Sequence, residues 1–405
     1  MKLTLKFKLE NSQDILDTMN AYVSALNYVS MHEFKLSSKI TNPTTLSKKY
    51  YYKIREKYHL PAQQTCSIFR DVASAYKKLR TRNKNIKNPI CFKSPFFTVI
   101  RNRDYSFYPE KQLLKLTTIN GRKSCTLKIS DYHNQYINVA TSYCDSTISK
   151  SKQGQLYFNL TVEIPDQPSK DQGNTMGIDV GLSKLATCCT NESKTLVIKG
   201  GIIKDKRNKF LNLRKRLQHK GTVSAKRLLK KLSGKENRWM RDVNYCTVKS
   251  ILQFAKDNNV SHIGIEDLTN IRESSKKFRK ELKREINSWA FYQFKTILSY
   301  KAKMQGIKII LVDPHHTSQT CSHCGYTDKH NRKSQRHFKC KSCGFSHNAD
   351  INAASNIELL TRIIRSNELS RGDINHPDAK DVDSEGLSRQ LKTSLNCKLI
   401  SLYDK

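Results

Sequence analysis

Two Cys-x2-Cys pairs, Cys321/Cys324 and Cys340/Cys343, constrain this chain more than any other stretch. They are separated by 15 residues, and glycine follows each pair (Gly325, Gly344). Two tight turns at this spacing bring four thiolates to one tetrahedral point, the arrangement of a zinc ribbon. His323, His337 and His347 lie within or beside the motif as substitute ligands, but four sulfurs already close the shell. The expected Zn2+ is therefore structural. The other cysteines lack ligand spacing, and the chain shows no signal peptide, which fits a reducing, cytoplasmic setting. Seven residues after Cys343 stands a carboxylate, Asp350, in "NADINAASNI".

The charge balance says what such a chain works on. Lys and Arg number 73 against 35 Asp and Glu, a formal net charge of +38 over 405 residues. An excess of that size repels itself unless a polyanion neutralises it, which makes nucleic acid the expected partner. A membrane surface is the competing reading, but no run of about eighteen apolar residues is present. Between Lys204 and Arg241, 15 basic residues stand against two acids, Asp205 and Glu236. Phe210, Leu213, Leu217, Leu228, Leu229 and Leu232 give that segment packing positions, so it reads as a basic helical hairpin along a phosphate backbone, with Arg214, Lys215 and Arg216 at its centre.

The 37% hydrophobic content and the length allow two or three packed units. "MKLTLKFKLE" alternates like a half-buried strand with a basic outer face. From Asn11 the apolar residues Ile15, Leu16, Met19, Tyr22, Val23, Leu26 and Val29 follow helical spacing, and a further helix is expected from Pro61. Strand-like runs return at "PFFTVI", "KQLLKLTTI", "SCTLKIS" and "GQLYFNLTVEI", so the first strand belongs to a small sheet interrupted by helices. "PDQPSKDQGN" supplies linker chemistry. Beyond it the pattern is α/β: the strand "TMGIDVG" with hairpin partners "KLATCCT" and "TLVIKGG", the basic helices, the strand "SHIGIED", a helix around "INSWAFYQFKTILSYKAKMQ", and the strand "IKIILVD". The chain from "RSNELSRGDINHPD" onward is polar and irregular.

Three acids stand out against this frame. Asp179 ends the apolar strand in "GIDVG", Glu266 ends another in "IGIED", and Asp350 opens a helix whose Asn352, Ala353 and Ala354 permit close packing. Carboxylates converging from separate elements of one sheet suit two divalent ions about 3.5 to 4 Å apart, which activate water and stabilise the leaving oxygen of a phosphodiester. Mg2+ is the expected catalytic ion. Asp267 should point to the opposite face as a capping or surface acid, and His262 should be a packed strand residue. "GIDVG" also opens the phosphate loop of actin-like kinases, although such a kinase has no use for the charge or the ribbon.

In their order and spacing, "GIDVGLSKLA", "GIEDL", "TSQTCSHCG", "FKCKSCG" and "NADINAASNI" resemble the RuvC-like nuclease and embedded zinc ribbon of the TnpB family, transposon-encoded RNA-guided DNA endonucleases related to small type V CRISPR effectors. The likeness is specific from Met176 to Ile357 and architectural before that. It implies an α/β multi-domain protein whose RNase H-like (RuvC-like) nuclease domain, residues 174–315 and 346–362, carries a basic helical segment at 204–258 and an inserted zinc ribbon at 316–345. It further implies an N-terminal β-barrel-like wedge domain, residues 1–10 and 88–166, interrupted by a helical recognition domain at 11–87. Residues 363–405 remain a polar tail. Asp179, Glu266 and Asp350 become the metal-binding catalytic triad, and guide RNA and target double-stranded DNA become the partners. By position, Gln63 and Gln64 would approach the short flanking motif and pair with adenine edges. Tyr52, among Tyr50, Tyr51 and flanking lysines, would stack on a nucleotide. A miniature type V CRISPR effector fits the same residues, and a catalytically silent RNA-guided DNA-binding repressor is disfavoured by the intact acids.

Overall fold

The computed structural model describes residues 1–36, 40, 42–81, 88–181, 183–268, 291–334 and 336–370. The chain divides into two compact units, Met1–Pro165 and Asp166–Lys405.

In the first unit, strand β1 (Lys2–Leu9) sends Leu5, Phe7 and Leu9 inward and its lysines outward, as strict alternation requires. Three helices follow: α1 (Gln13–Leu36), α2 (Pro43–Tyr58) and α3 (Ala62–Thr81). Ile15, Met19, Tyr22, Leu26 and Val29 form the buried stripe of α1. Hydrophobic spacing does not single out α2, yet its local signals are clear. Asn42 caps it by accepting from the Thr44 amide, Pro43 opens it, and His59 ends it in the left-handed region at φ 52°. The chain continues through β2 (Phe96–Val99), β3 (Tyr105–Tyr108), β4 (Leu113–Thr118), β5 (Gly121–Thr126), α4 (Asp131–Ile137), β6 (Ser142–Tyr143), β7 (Ser146–Lys150) and β8 (Leu156–Glu163). One sheet runs β1-β8-β7-β2 with β6 also on β8, and β3-β4-β5 form a second. The β1–β8 pairing, from Lys2↔Glu163 to Leu9↔Leu156, joins the two ends of this unit.

In the second unit, β9 (Asn174–Asp179), β10 (Lys184–Thr190) and β11 (Thr195–Lys199) form an antiparallel meander, as the sequence suggests. The basic hairpin is α5 (Gly201–Lys220) and α6 (Val223–Asp257), turned by Gly221 in the left-handed region at φ 63°. Then come β12 (Val260–Glu266), α7 (Phe291–Lys303), β13 (Lys308–Val312), the ribbon strands β14 (His337–Lys339) and β15 (Ser346–Asn348), and α8 (Ala349–Ser370). The expected start of α7 at "INSWA" lies outside the described residues.

The sheet order is β11-β10-β9-β12-β13, with β12 parallel to both β9 and β13. One core unites Met176, Ile178, Cys188, Ile251, Val260, Ile263 and Leu298, so α6 and α7 pack with the sheet. On α8, Ile357 and Leu360 close over Ile310 and Val312. The helix comes so near that a Cβ on Gly177 would collide with the Ala354 carbonyl and the Glu358 amide, and one on Gly264 with the Thr361 hydroxyl. Only glycine at those two positions lets α8 lie this low. The expectation of an irregular tail from residue 363 needs correcting: α8 continues to Ser370, because Leu359, Leu360 and Thr361 are still packed and carry the helix past its last buried turn. Residues 371–405 lie outside the described residues. Among the described residues, no helix is long and apolar enough to cross a membrane.

Candidate functional site

The ends of two parallel strands and the start of one helix form the acid cluster. Ile178 pairs with Ile265, so Asp179 and Glu266, the next residue on each strand, emerge side by side. Asp350 sits in the first turn of α8, where the Asn348 side chain accepts from the amides of Asp350 (3.1 Å) and Ile351 (3.4 Å). Lys184 Nζ lies 2.9 Å from Asp350 Oδ2 and 2.9 Å from Asn348 Oδ1, and Arg332 Nη2 lies 3.3 Å from Asp350 Oδ1.

Burial, with Glu266 and Asp350 adding like charge, pushes the Asp179 carboxyl up to about 7, against the pull of Arg332 and Lys184. Burial also raises Glu266, opposed by the hydroxyl of Thr317 and by Arg332. Three carboxyl groups and two cations thus share one site. Its hard oxygen donors suit a magnesium-like ion better than a soft one.

The ribbon stands next to this cluster. All four cysteine sulfurs lie within 4.8 Å of one another, with Cys321–Cys343 at 3.8 Å and Cys324–Cys340 at 3.6 Å. Gly325 and Gly344 turn in the left-handed region at φ 75° and 74°. The four-thiol donor set fits zinc. The histidines stand off from the sulfurs in ring contacts: His323 stacks on Phe345, which also meets His347.

Two asparagines of α8 tie the ribbon to the sheet. Asn352 donates to the Thr320 carbonyl (2.8 Å) and accepts from the Ser322 amide (3.0 Å). Asn356 donates to the carbonyls of Thr317 and Thr320, both at 2.8 Å. Thr317 in turn donates to Glu266 at 2.6 Å. Sequence reasoning misses Lys184, Arg332, Thr317 and Asn356. Each works through a partner distant in the chain, and local spacing carries no signal of that.

The other candidate residues divide. His262 is packed, 3% exposed, with Nδ1 2.9 Å from the Ser261 hydroxyl. Asp267 is a surface acid paired with Lys295 at 3.0 Å. Tyr52 is 83% exposed and meets Tyr51 edge-on, whereas Tyr50 is buried and donates to Glu33.

Gln64 corrects the expectation of a base-reading side chain. It is fully buried and donates to the Thr117 carbonyl at 2.8 Å, because its position in α3 faces the packed stripe with Ile68 and Val72. Gln63 is half-buried and accepts from Arg103 at 2.7 Å. Arg214 is a second correction. It is paired with Glu236 across the α5–α6 hairpin, while Lys215 and Arg216 are exposed to solvent.

The fold and site define a multi-domain α/β protein in which a four-cysteine ribbon is embedded beside an acid cluster at the carboxyl ends of parallel strands. Residues 159–272 match the family described as "Probable transposase", and residues 291–357 match "Cas12f1-like, TNB domain". A CRISPR-associated endodeoxyribonuclease Cas12f1 of Sulfoacidibacillus thermotolerans is 30% identical over 225 residues, covering 52% of each chain. The TnpB-like protein MJ0751 of Methanocaldococcus jannaschii is 36% identical over 145 residues, 36% of this chain and 51% of that one. The chain thus spans about half the length of these curated relatives. In fold it is similar to the protein in a Cas12f1–sgRNA–target DNA complex, with a TM-score of 0.62 at 18% identity over 85% of this chain and 81% of that one. Over these segments the chain is similar to TnpB-like proteins and to Cas12f1.

Proposed function

We propose that the protein is an RNA-guided DNA endonuclease of the TnpB type. The reading is supported by Asp179 and Glu266 standing at neighbouring strand ends, by Asp350 lying near enough to raise the Asp179 carboxyl, and by the four-cysteine cluster placed shortly before the third acid in the chain. The strand order, three antiparallel strands followed by two parallel ones, fits an RNase H-like domain.

In this reading the three carboxylates hold the catalytic Mg2+ and the four thiolates a structural Zn2+. Bound divalent ions would activate water and stabilise the leaving oxygen. The chain's own groups do the rest. Thr317 fixes the rotamer of Glu266, and Asn348 fixes the backbone that presents Asp350. Lys184 and Arg332 hold the Asp350 carboxylate and bring positive charge to where a phosphodiester would lie. The charge of +38 has a use only if long stretches of phosphate are neutralised, and Lys215 and Arg216 on the hairpin are placed for that.

The partners are a guide RNA and a target DNA duplex. The first unit, residues 1–165, serves as the wedge with its helical recognition insertion. A miniature type V CRISPR effector is the second reading, favoured by the likeness to Cas12f1 in sequence and fold. Sequencing the RNA that copurifies with the protein separates the two. RNA from the flank of its own gene supports the TnpB reading, repeat-derived RNA supports the effector, and a protein free of RNA contradicts both.

A further inference from the structure

A cavity of about 340 Å³ lies between the ribbon, α8 and the β10–β11 edge of the sheet. It is separate from the acid cluster, and no sequence motif points to it. Its volume is near the lower bound of small-molecule sites, roughly 300–1,000 Å³. We propose that it seats one unpaired nucleobase of the DNA strand on which the acid cluster acts. The proposal rests on the cleavage reading above and adds a binding site to it.

The ribbon side of the cavity is aromatic. His323 stacks on Phe345 with centroids 5.4 Å apart and planes 15° apart, and His347 meets the same ring at 5.7 Å. Both histidines are exposed, and the four sulfurs already fill the ribbon's metal shell. Two exposed imidazoles, one stacked on and one tilted against a half-buried phenyl ring, on a basic protein, offer a face on which any base can stack.

The helix side mixes apolar and polar groups. Ile351, Ser355, Glu358 and Arg362 recur every three or four residues and so share one face of α8. Glu358 is only 5% exposed, accepts from Thr175 at 2.5 Å and pairs with Arg362 at 3.5 Å. This held carboxylate can accept from an exocyclic amine, and the half-exposed Arg362 can meet the attached phosphate.

The same helix carries Asp350 in its first turn, one residue before Ile351. Along the helix Ile351 adjoins Asp350 while Glu358 and Arg362 stand about 12 and 18 Å further on, so a base held by them would fix the strand a few nucleotides from the acids. Stacking is also tolerant of base identity, which suits a nuclease whose specificity is set elsewhere.

The test uses the intact chain and a short single-stranded DNA carrying 2-aminopurine at successive positions. Stacking should quench the fluorescence at one or two adjacent positions by about threefold or more. The His323→Ala/His347→Ala variant, checked for unchanged zinc content, should lose that quenching. Should that variant misfold, Thr195→Trp plugs the cavity from the exposed β11 edge and should do the same. Quenching that survives both variants, is equal at all positions, or occurs only with RNA of the same sequence overturns the proposal. No cleavage is needed for this readout. A separate cleavage assay on the RNA-loaded protein with a matched duplex keeps the two readings apart: quenching without such cutting would overturn the nuclease reading alone, and such cutting without quenching would overturn the cavity alone.

Discussion

The Thr317 hydroxyl donates to the Glu266 carboxylate at 2.6 Å, across 51 residues of sequence. Thr317 is 4% exposed and also lies 3.2 Å from the Pro314 carbonyl, while its own carbonyl accepts from Asn356. The chain leading into the ribbon thus holds one acid of the cluster by a side chain, and the helix leaving the ribbon holds another. Under the proposed function this is a physical reason for a four-cysteine ribbon to precede Asp350. The ribbon fixes both ends of the segment that aligns the acids.

Thr317→Val keeps the shape and removes the donor. A carboxylate released from such a partner loses orientation, and losses of this kind typically cost about 10–100-fold in metal affinity or activity. The Mg2+ concentration for half-maximal cleavage should rise by that order while the melting temperature changes little. An unchanged Mg2+ dependence would show that Glu266 needs no orienting partner.

Cys340→Ser/Cys343→Ser should release zinc, unfold the ribbon and lower cleavage through misplacement of Asp350, since ligand loss removes the metal's folding free energy. Zinc quantitation beside the cleavage assay reads both effects. A zinc-loaded, fully active double variant would mean that the ribbon has no part in the site.

On the hairpin, Lys215→Gln/Arg216→Gln should flatten the plot of log affinity against log salt by up to about 2, roughly one for each phosphate no longer neutralised. Arg214→Gln should leave the slope nearly alone and lower hairpin stability, because Arg214 is engaged by Glu236. Equal slopes for wild type and the Lys215/Arg216 variant would return this face to plain solvation.

His262 gives the second unit an acid sensitivity. Burial, then Arg365 and Lys308, hold its imidazole down to about 4, with Asp171 opposing. Between the ordinary value of about 6.5 and 4 the unfolded chain binds a proton that the folded chain does not, so stability falls as pH drops through that window. The contribution is up to about 3 kcal/mol at 1.36 kcal/mol per pH unit. His262→Gln should be less stable than wild type at neutral pH, with the gap closing as pH falls from 6.5 to 4. A pH-independent gap would place the penalty elsewhere.

Much of the fold and the site is legible in the sequence, and the reasons differ by residue. The four cysteines that cluster stand out through their spacing, and the three candidate acids through their positions at two strand ends and one helix start, because turn spacing and element termini are set locally. The β1–β8 pairing is visible only as a strand awaiting partners. Gln64 misleads because two neighbouring glutamines look alike in sequence, whereas α3 turns one inward to Thr117 and the other toward Arg103. Arg214 looks equivalent to Lys215 and Arg216 for the same reason, and only the return of α6 beside α5 supplies Glu236. Lys184 and Arg332 cannot be read at all, since their partner Asp350 is 166 and 18 residues away.

Asp350→Ala tests the central claim most directly. Removing one anionic donor from a site built on converging negative charge should lower Mg2+-dependent cleavage by several orders of magnitude. RNA and DNA binding should survive, because under the proposed function they would rest on guide pairing and backbone contacts. Cleavage and binding are measured side by side on the same purified complex. Lost cutting with retained binding is the predicted result. Retained cutting would contradict the assignment of the carboxylates as the catalytic site, and joint loss of binding would make Asp350 a support of the fold.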